Sequence, residues 1–446
     1  MSRISIVGVG YVGLVTGACF AEKGHDVVCI DVDAKKVDAI NGGQSPIFEP
    51  GLEELLKANV GKRLRATLDA RAAILESEMT MIAVGTPFDG NRIDLAYVTE
   101  SARTIGKVLR EKDAYHVVVV KSTVVPGTTD RVVRPILEEA SGKPAGAGFG
   151  LGMNPEFLTE GEAVGDFMVP DRVVCGGIDR RTQDALAEIY TPFPGGERLR
   201  TSNAAAEMIK YASNALLATL ISFSNEFANL SSELGGIDAA EVMRGLHASR
   251  YLTSLLPNGS EAVAPITSFL MGGCGFGGSC LPKDVSALIA HGRTVGVPMN
   301  LLQAVLDINK TQHEKIFQLL GKHFPSLAGR KVSVLGLAFR PDTNDMRESP
   351  AIPIVRRLLK DGAVVSAYDP AAADEGRHVF GDSITIVPSL EAALRDAEAV
   401  VLVTRWAEFR KVPELLKASG SRAVVVDGRR LLDKDSVERY EGIGLG

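Results

Sequence analysis

A thiol that follows a run of glycines and stands just before a proline is set up to react, and residues 273–284, GCGFGGSCLPKD, have that arrangement. Glycine lets the backbone come close to a ligand. Pro282 suits the first turn of a helix, and a helix start with Lys283 and Asp284 beside it can stabilise a thiolate. The ordinary reading of an isolated cysteine is a small buried hydrophobe, but the glycine density favours Cys280 as a nucleophile. A second pattern lies at the start of the chain. Gly8, Gly10 and Gly13 in RISIVGVGYVG form GxGxxG between a strand-like and a helix-like stretch. There the backbone can approach a pyrophosphate at the positive end of a helix. Asp31, at the end of the next apolar run, is placed to accept hydrogen bonds from both ribose hydroxyls and to repel a 2′-phosphate, so NAD is expected rather than NADP. The plain alternative is a tight glycine turn near an incidental aspartate.

The elements that must position these groups follow from periodicity. Residues 3–31 read strand, glycine turn, helix, strand, which is one βαβ unit. Apolar runs at 79–84 and 115–122 alternate with helix-like segments, as a doubly wound parallel sheet requires, and another run follows at 171–177. Residues 204–234 contain no Gly or Pro and keep apolar residues at helical spacing, which predicts one long helix, either a dimer seam or simply buried. The pattern restarts with KVSVLGLAF at 331–339, AVVSAYD at 363–369, VLVTRW at 401–406 and AVVVDGRR at 423–430. The fold class is therefore α/β, with two Rossmann-like doubly wound domains joined by a long central helix. The glycine turn at Gly336 lacks the third glycine and suits a different nucleotide. Domains are expected at 1–203, 204–310 and 311–446.

Whole-chain properties exclude other classes. A length of 446 residues calls for more than one core, and a net charge of −6 gives no electrostatic case for nucleic acid or an anionic membrane. No apolar run approaches the roughly 20 residues that span a bilayer. Met1 leads directly into a strand without a signal-peptide pattern, so a cytoplasmic protein is expected. Cys19, Cys29, Cys175, Cys274 and Cys280 have no metal-ligand spacing, which predicts free thiols and no metal.

GVGYVG, SPIFEPGL (45–52), VGTP (84–87), KSTVVPGT (121–128), NPEFLTEG (154–161), PDRVV (170–174), EMIKYASNA (207–215), GFGGSCLPKD (275–284) and RESP (347–350) together resemble the UDP-glucose/GDP-mannose dehydrogenase family along essentially the whole chain. The resemblance implies an NAD domain, a central helical domain that dimerises, and a C-terminal domain for the sugar nucleotide. It implies that Cys280 attacks an aldehyde to give a thiohemiacetal, whose oxidation yields a thioester that water hydrolyses. Lys210 and Asn214, one turn apart on the long helix, are then suited to an oxyanion at C6; a solvated pair is the alternative. Glu156 takes the base role and Glu160 assists, while Thr123 and Asp284 organise water and hydrogen bonds. The cofactor set implied by the resemblance is Gly8, Gly10, Tyr11, Val12, Gly13, Asp31, Lys36, Thr86, Thr123, Glu160, Lys283 and Arg347. The substrate set is Phe157, Leu158, Lys210, Asn214, Phe269, Gly277, Phe339 and Arg340, with surface charge the alternative for Arg340 and capping for the threonines.

PDRVV and SFLMGGCGFGGSC (268–280) read like the UDP-glucose branch, and CLPKDV (280–285) and ASGKPAGAGFGLGMNPEF (140–157) like the GDP-mannose branch. Because the resemblance places residues 269–275 beside the substrate, the expected reaction is four-electron oxidation of UDP-glucose to UDP-glucuronate by a homodimer, with GDP-mannose or another nucleotide sugar as the alternative substrate. Pro265 stands where many UDP-glucose enzymes carry a partner-subunit arginine, and residues 251–267 are longer and more irregular than the family pattern. Two other classes compete. A two-electron hydroxyacid-type dehydrogenase would not need Cys280, and a nucleotide sensor would bind without turnover.

Overall fold

The computed structural model describes residues 1–256 and 258–446; Pro257, inside the irregular 251–267 segment, lies outside them. The chain divides into two compact units, Met1–Ser213 and Asn214–Gly446.

The first unit is built on eight strands: β1 Arg3–Val7, β2 Asp26–Ile30, β3 Leu64–Thr67, β4 Met79–Ile82, β5 Val117–Val120, β6 Gly150–Met153, β7 Arg172–Gly177 and β8 Glu197–Thr201. They lie in the order β3-β2-β1-β4-β5-β6-β7-β8. All pairs are parallel except β6 with β7, which the alternation of strands and helices did not anticipate. Four consecutive valines at 117–120 make sense here. Val117 and Val119 enter the core on one face of the sheet, and Val118 and Val120 enter the core on the other. A strand covered on both faces has no polar side to show. Each buried valine contributes about 1.5–3 kcal/mol relative to exposure.

The order of the strands reverses between β1 and β4, which places a crevice beyond their C-terminal ends. The first helix, Tyr11–Glu22, starts there. It packs so closely on the turn that a methyl group at Gly13 would overlap the Gly8 carbonyl oxygen, a backbone atom that cannot swing aside.

The long helix runs Asn203–Leu234, as its unbroken helical spacing predicts. The second unit holds a hairpin of β9 Thr253–Leu255 and β10 Glu261–Val263, where sequence gave only an irregular segment, followed by a 3-10 turn, Pro265–Phe269. Its main sheet contains β11 Lys331–Leu335, β12 Val364–Tyr368, β13 Thr385–Ile386, β14 Ala399–Leu402, β15 Val424–Asp427 and β16 Tyr440–Gly442. The order is β13-β12-β11-β14-β15-β16, and every pair is parallel. This is the second doubly wound sheet.

Replacing Gly13 by alanine is expected to lower the stability of the first unit by about 1–3 kcal/mol through overpacking and to weaken NAD binding. Thermal unfolding and cofactor titration of Gly13→Ala check this; a variant with the melting temperature and NAD affinity of the parent contradicts it.

Candidate active site

The glycine loop of the first unit has the form a dinucleotide needs. Gly10 is exposed, and nothing lies within 4 Å of where its Cβ would stand, so the outer face of the loop is open to a ligand. The first helix offers its unpaired N–H groups there. Asp31 follows β2; its Oδ2 accepts from the Val9 N–H at 2.8 Å and its Oδ1 from the Asp33 N–H at 3.0 Å. These bonds fix the carboxylate against the loop while each oxygen keeps further acceptor capacity. Tyr11, Val12 and Lys36 are half-buried around this corner. The residues present fit NAD.

Glu156 and Lys210 form a buried pair. Lys210 Nζ lies 2.9 Å from Glu156 Oε1, with both side chains less than one-tenth exposed, so the solvated-pair alternative for Lys210 falls. Burial pushes the Glu156 carboxyl up, but the Lys210 ammonium and hydrogen bonds from Lys210 and the Leu158 N–H outweigh it and hold the group below the usual carboxylate range. Phe157 packs between cations, with the Arg172 guanidinium 3.9 Å from the ring centroid and Lys210 Nζ 5.6 Å away. Thr86 donates to the Thr123 carbonyl at 2.8 Å, so those two predicted residues meet. Leu158 and Glu160 are half-buried on the same loop.

Three groups in this unit were missed by sequence. Lys121 is buried and donates to Asn154 Oδ1 at 2.9 Å and to the Tyr190 hydroxyl at 3.3 Å. Burial lowers it to about 8 even though the Glu156 carboxylate opposes that shift. Glu207, one turn before Lys210, accepts from the Gly127 N–H and from the Thr129 N–H and hydroxyl at 2.8 and 2.7 Å. It therefore anchors the chain that leaves Thr123. Glu49 gathers several backbone donors, described below. The signal available for all three was their place inside the family-like stretches KSTVVPGT, EMIKYASNA and SPIFEPGL.

The second unit presents the thiol. Cys280 is half-buried, whereas Cys19, Cys29, Cys175 and Cys274 are buried. Burial pushes Cys19 and Cys29 up to about 12 and Cys175 to about 11, which leaves those three as inert thiols. The loop ahead of Cys280 is held at almost every residue. Gly273 N–H donates to Asn225 Oδ1 at 2.8 Å, Cys274 N–H to the Gly428 carbonyl at 2.9 Å, Phe276 N–H to Asn309 Oδ1 at 2.8 Å and Gly278 N–H to the Arg347 carbonyl at 2.9 Å. Arg429 donates to the Gly275 carbonyl at 2.8 Å. Gly278 has φ +85°, and a Cβ there would stand 2.8 Å from the Phe339 ring, so the predicted substrate residue Phe339 closes over the loop. Gly277 is buried, and Phe269 and Arg340 are half-buried. The helix Leu281–Thr294 starts at the thiol with Pro282 in its first turn. Asp284 is buried; it accepts from Asn214 Nδ2 at 2.6 Å and pairs with Lys283 Nζ at 2.6 Å. Arg347 is exposed and paired with Asp345 at 2.6 Å.

The acid that follows β12 shows why the second sheet differs from the first. Asp369 is buried; its Oδ2 accepts from the Leu337 and Ala338 N–H groups and from Trp406 Nε1, and its Oδ1 from the Ala371 and Ala372 N–H groups. It is consumed inside the fold and is not available to a ribose.

An acid ready for a ribose on the first sheet and a spent one on the second place the chain among NAD-dependent dehydrogenases built on paired Rossmann units. Comparison narrows the class. Residues 2–194, 204–311 and 333–434 match the NAD-binding, central and UDP-binding domains of the UDP-glucose/GDP-mannose dehydrogenase family. The chain belongs to that family, and it is an NAD-dependent nucleotide-sugar dehydrogenase. It is 44% identical to the UDP-glucose 6-dehydrogenase AglM of Haloferax volcanii over 99% of this chain and 100% of that one. It is 39% identical to the GDP-mannose 6-dehydrogenase of Azotobacter vinelandii over 92% and 93%. The solved UDP-glucose dehydrogenase of Pyrobaculum islandicum superposes with a TM-score of 0.89 at 38% identity, over 100% of this chain and 98% of that one. Among the described residues no helix is long and apolar enough to cross a membrane, and no cluster of His, Cys, Asp and Glu could hold a metal ion.

Glu207 gives this unit a pH signature. Burial raises its carboxyl from 4.5 to about 7 despite the hydrogen bonds it accepts from Thr129 and Gly127. The folded protein therefore holds this proton more tightly than the unfolded chain. Stability from this group is present below about pH 4.5 and falls as pH rises to about 7, by about 3 kcal/mol at most. Glu207→Gln has no proton to lose, so its thermal midpoint is expected to fall less than that of the parent between about pH 5 and pH 8. Equal pH slopes in the two proteins would contradict this.

Proposed function

We propose that the enzyme oxidises the C6 alcohol of UDP-glucose to the carboxylate of UDP-glucuronate, releasing four electrons as two hydrides. NAD, when bound at the glycine loop, supplies the hydride acceptor in each oxidation. The first oxidation removes a hydride from C6 and the hydroxyl proton. Cys280 thiolate then adds to the aldehyde, and Lys210 and Asn214 stabilise the oxygen that becomes negative. The second hydride leaves the thiohemiacetal carbon to give a thioester on Cys280. Water, positioned by Thr123 and Asp284 and deprotonated by Glu156 with Glu160 assisting, cleaves the thioester and returns the thiolate. The sum consumes one alcohol, two NAD and one water and yields one carboxylate, two NADH and three protons. The observation that carries this reading is the pinned loop that presents Cys280, alone among the cysteines, half-exposed at a helix start. A two-electron dehydrogenase has no use for that construction.

UDP-glucose is preferred as substrate because the relative at 44% identity bears that activity in its name, against 39% for the GDP-mannose enzyme. In this reading residues 1–203 hold NAD with the cofactor set above, 204–310 form the dimerising centre and 311–446 bind the nucleotide, with Phe269, Phe339 and Arg340 at the sugar nucleotide. The enzyme works in the cytoplasm as a homodimer. Support for the dimer comes from the long helix, where Leu216, Phe223, Phe227, Leu230 and Leu234 are exposed on recurring turns and the Phe223 and Phe227 rings lie 4.7 Å apart. Exposed apolar rows of this kind mark protein contacts.

The expected yield is two NADH per limiting UDP-glucose, with Cys280→Ala losing complete turnover. One NADH per sugar, or an unchanged Cys280→Ala, defeats the thioester route; two NADH from GDP-mannose alone keeps the chemistry and replaces the substrate. In size-exclusion chromatography with light scattering, the parent is expected at twice the chain mass of 47.4 kDa and Leu230→Glu at the chain mass. A parent protein that elutes as a monomer rejects the dimer.

A further inference from the structure

Glu49 lies in SPIFEPGL, a stretch to which the reaction assigns nothing, and it is only 6% exposed. Its carboxylate is surrounded by donors from two other segments. Oε2 accepts from the Tyr11 hydroxyl and from the Gly161 N–H at 2.8 Å; Oε1 accepts from the Ala163 N–H at 2.7 Å and, at 3.4 Å, from Val164. The Tyr11 hydroxyl in turn accepts from the Gly161 N–H at 3.1 Å. Tyr11 is the first residue of the helix behind the glycine loop, and Gly161 follows Glu160 directly.

Residues 154–159, which carry Glu156, have no regular secondary structure, so their placement depends on side-chain ties. Asn154 fixes the upstream end by donating to the Val174 carbonyl at 2.9 Å. Asp166 Oδ2 accepts from the Thr159 N–H at 2.9 Å within the same segment. Glu49 fixes the downstream end, and it alone of these ties reaches the glycine loop. Without it the Gly161 and Ala163 N–H groups lose their carboxylate partner in a buried place, where an unpaired donor is strongly unfavourable.

The geometry points to Glu49 as a positioning residue that couples occupancy of the cofactor loop to placement of the carboxylate loop. Cofactor phosphates seated on residues 8–13 restrict Tyr11; Tyr11 and Glu49 together then restrict Gly161, Ala163 and the carboxylates just upstream. The coupling is reciprocal, as linkage requires. Tyr11 is suited to the relay because burial and then its bond to Glu49 push its hydroxyl well above the ordinary value, so it keeps its proton and donates at every working pH. The inference rests on the reading of the glycine loop as the NAD site.

Hydrogen exchange of the full chain, with and without NAD, tests both and separates them. In the parent, NAD is expected to slow exchange at residues 8–14 and, by at least about threefold, at 157–168. In Glu49→Gln, which loses one of the two carboxylate acceptors, protection at 8–14 is expected to remain and protection at 157–168 to disappear. The KM for NAD should change less than kcat, whereas a merely structural loss would also remove protection at 8–14. Tyr11→Phe breaks the other end of the relay and should uncouple the loops in the same way, which keeps the test decisive if Glu49→Gln does not fold. Protection at 8–14 with none at 157–168 in the parent overturns the coupling alone, as does NAD-dependent protection at 157–168 that survives in both variants. No protection at 8–14 in the parent overturns the cofactor reading and the coupling with it.

Discussion

A lysine and a glutamate shut away from water set the terms for the first unit. The Glu156 and Lys210 side chains are each less than one-tenth exposed, and burying two charges is unfavourable by several kcal/mol per ion unless their remaining hydrogen-bonding capacity is met. The surroundings meet it. The Leu158 N–H turns back onto Glu156, the Phe157 ring offers its face to Lys210, and Lys121 adds a second positive charge that favours ionised Glu156. Because removing one partner of such a pair typically lowers stability by about 3–5 kcal/mol, the carboxylate loop, β5 and the start of the long helix are held in one arrangement. In the proposed reaction, groups placed this firmly would not have to reorganise as charge develops on the substrate, and preorganisation of that kind is where electrostatic catalysis draws its strength.

The second unit reaches the same end with hydrogen bonds rather than a buried ion pair. The loop before Cys280 is rich in glycine, and a glycine-rich chain has the most conformational freedom to lose. Amide oxygens of Asn225 and Asn309, the Gly428 and Arg347 carbonyls and the Arg429 guanidinium each fix one residue of it. The glycines are thus required by geometry, with Phe339 pressed against Gly278, while order comes from hydrogen bonds. A half-exposed thiol on a rigid loop differs from one on a mobile loop in how little entropy remains to be lost when it forms a covalent bond.

Much of this was legible in the sequence because it depends on local periodicity. The GxGxxG turn, the 204–234 run without Gly or Pro and Pro282 at a helix start each specify their element within a few residues. What escaped has two physical causes. Strands β6, GLGM, and β8, ERLRT, look like loop and polar surface; β6 needs its glycines because a Cβ at Gly152 would strike the Gly176 carbonyl of the neighbouring strand at 2.8 Å. Tertiary crowding there overrides propensity. Glu49 and Glu207 escaped because their partners lie 112 and 80 residues away in sequence. A single carboxylate has no period, so nothing local distinguishes a hub from a surface acid.

Asp31 and Asp369 show how one architecture comes to serve two ligands. Both follow the second strand of a doubly wound sheet, and both accept backbone N–H groups from the turn after the first strand. Asp31 receives one such bond on Oδ2 and one from Asp33 on Oδ1, at a position open enough for a diol to share the oxygens. Asp369 receives five donors, counting the Trp406 indole, and is 2% exposed. A carboxylate has about four good acceptor directions, so Asp369 is saturated before any ligand arrives. The lack of a free acid at this place in the second sheet therefore needs no rearrangement of strands. It follows from filling one acid with internal donors, and the crevice that the strand order creates is left to be furnished with other residues.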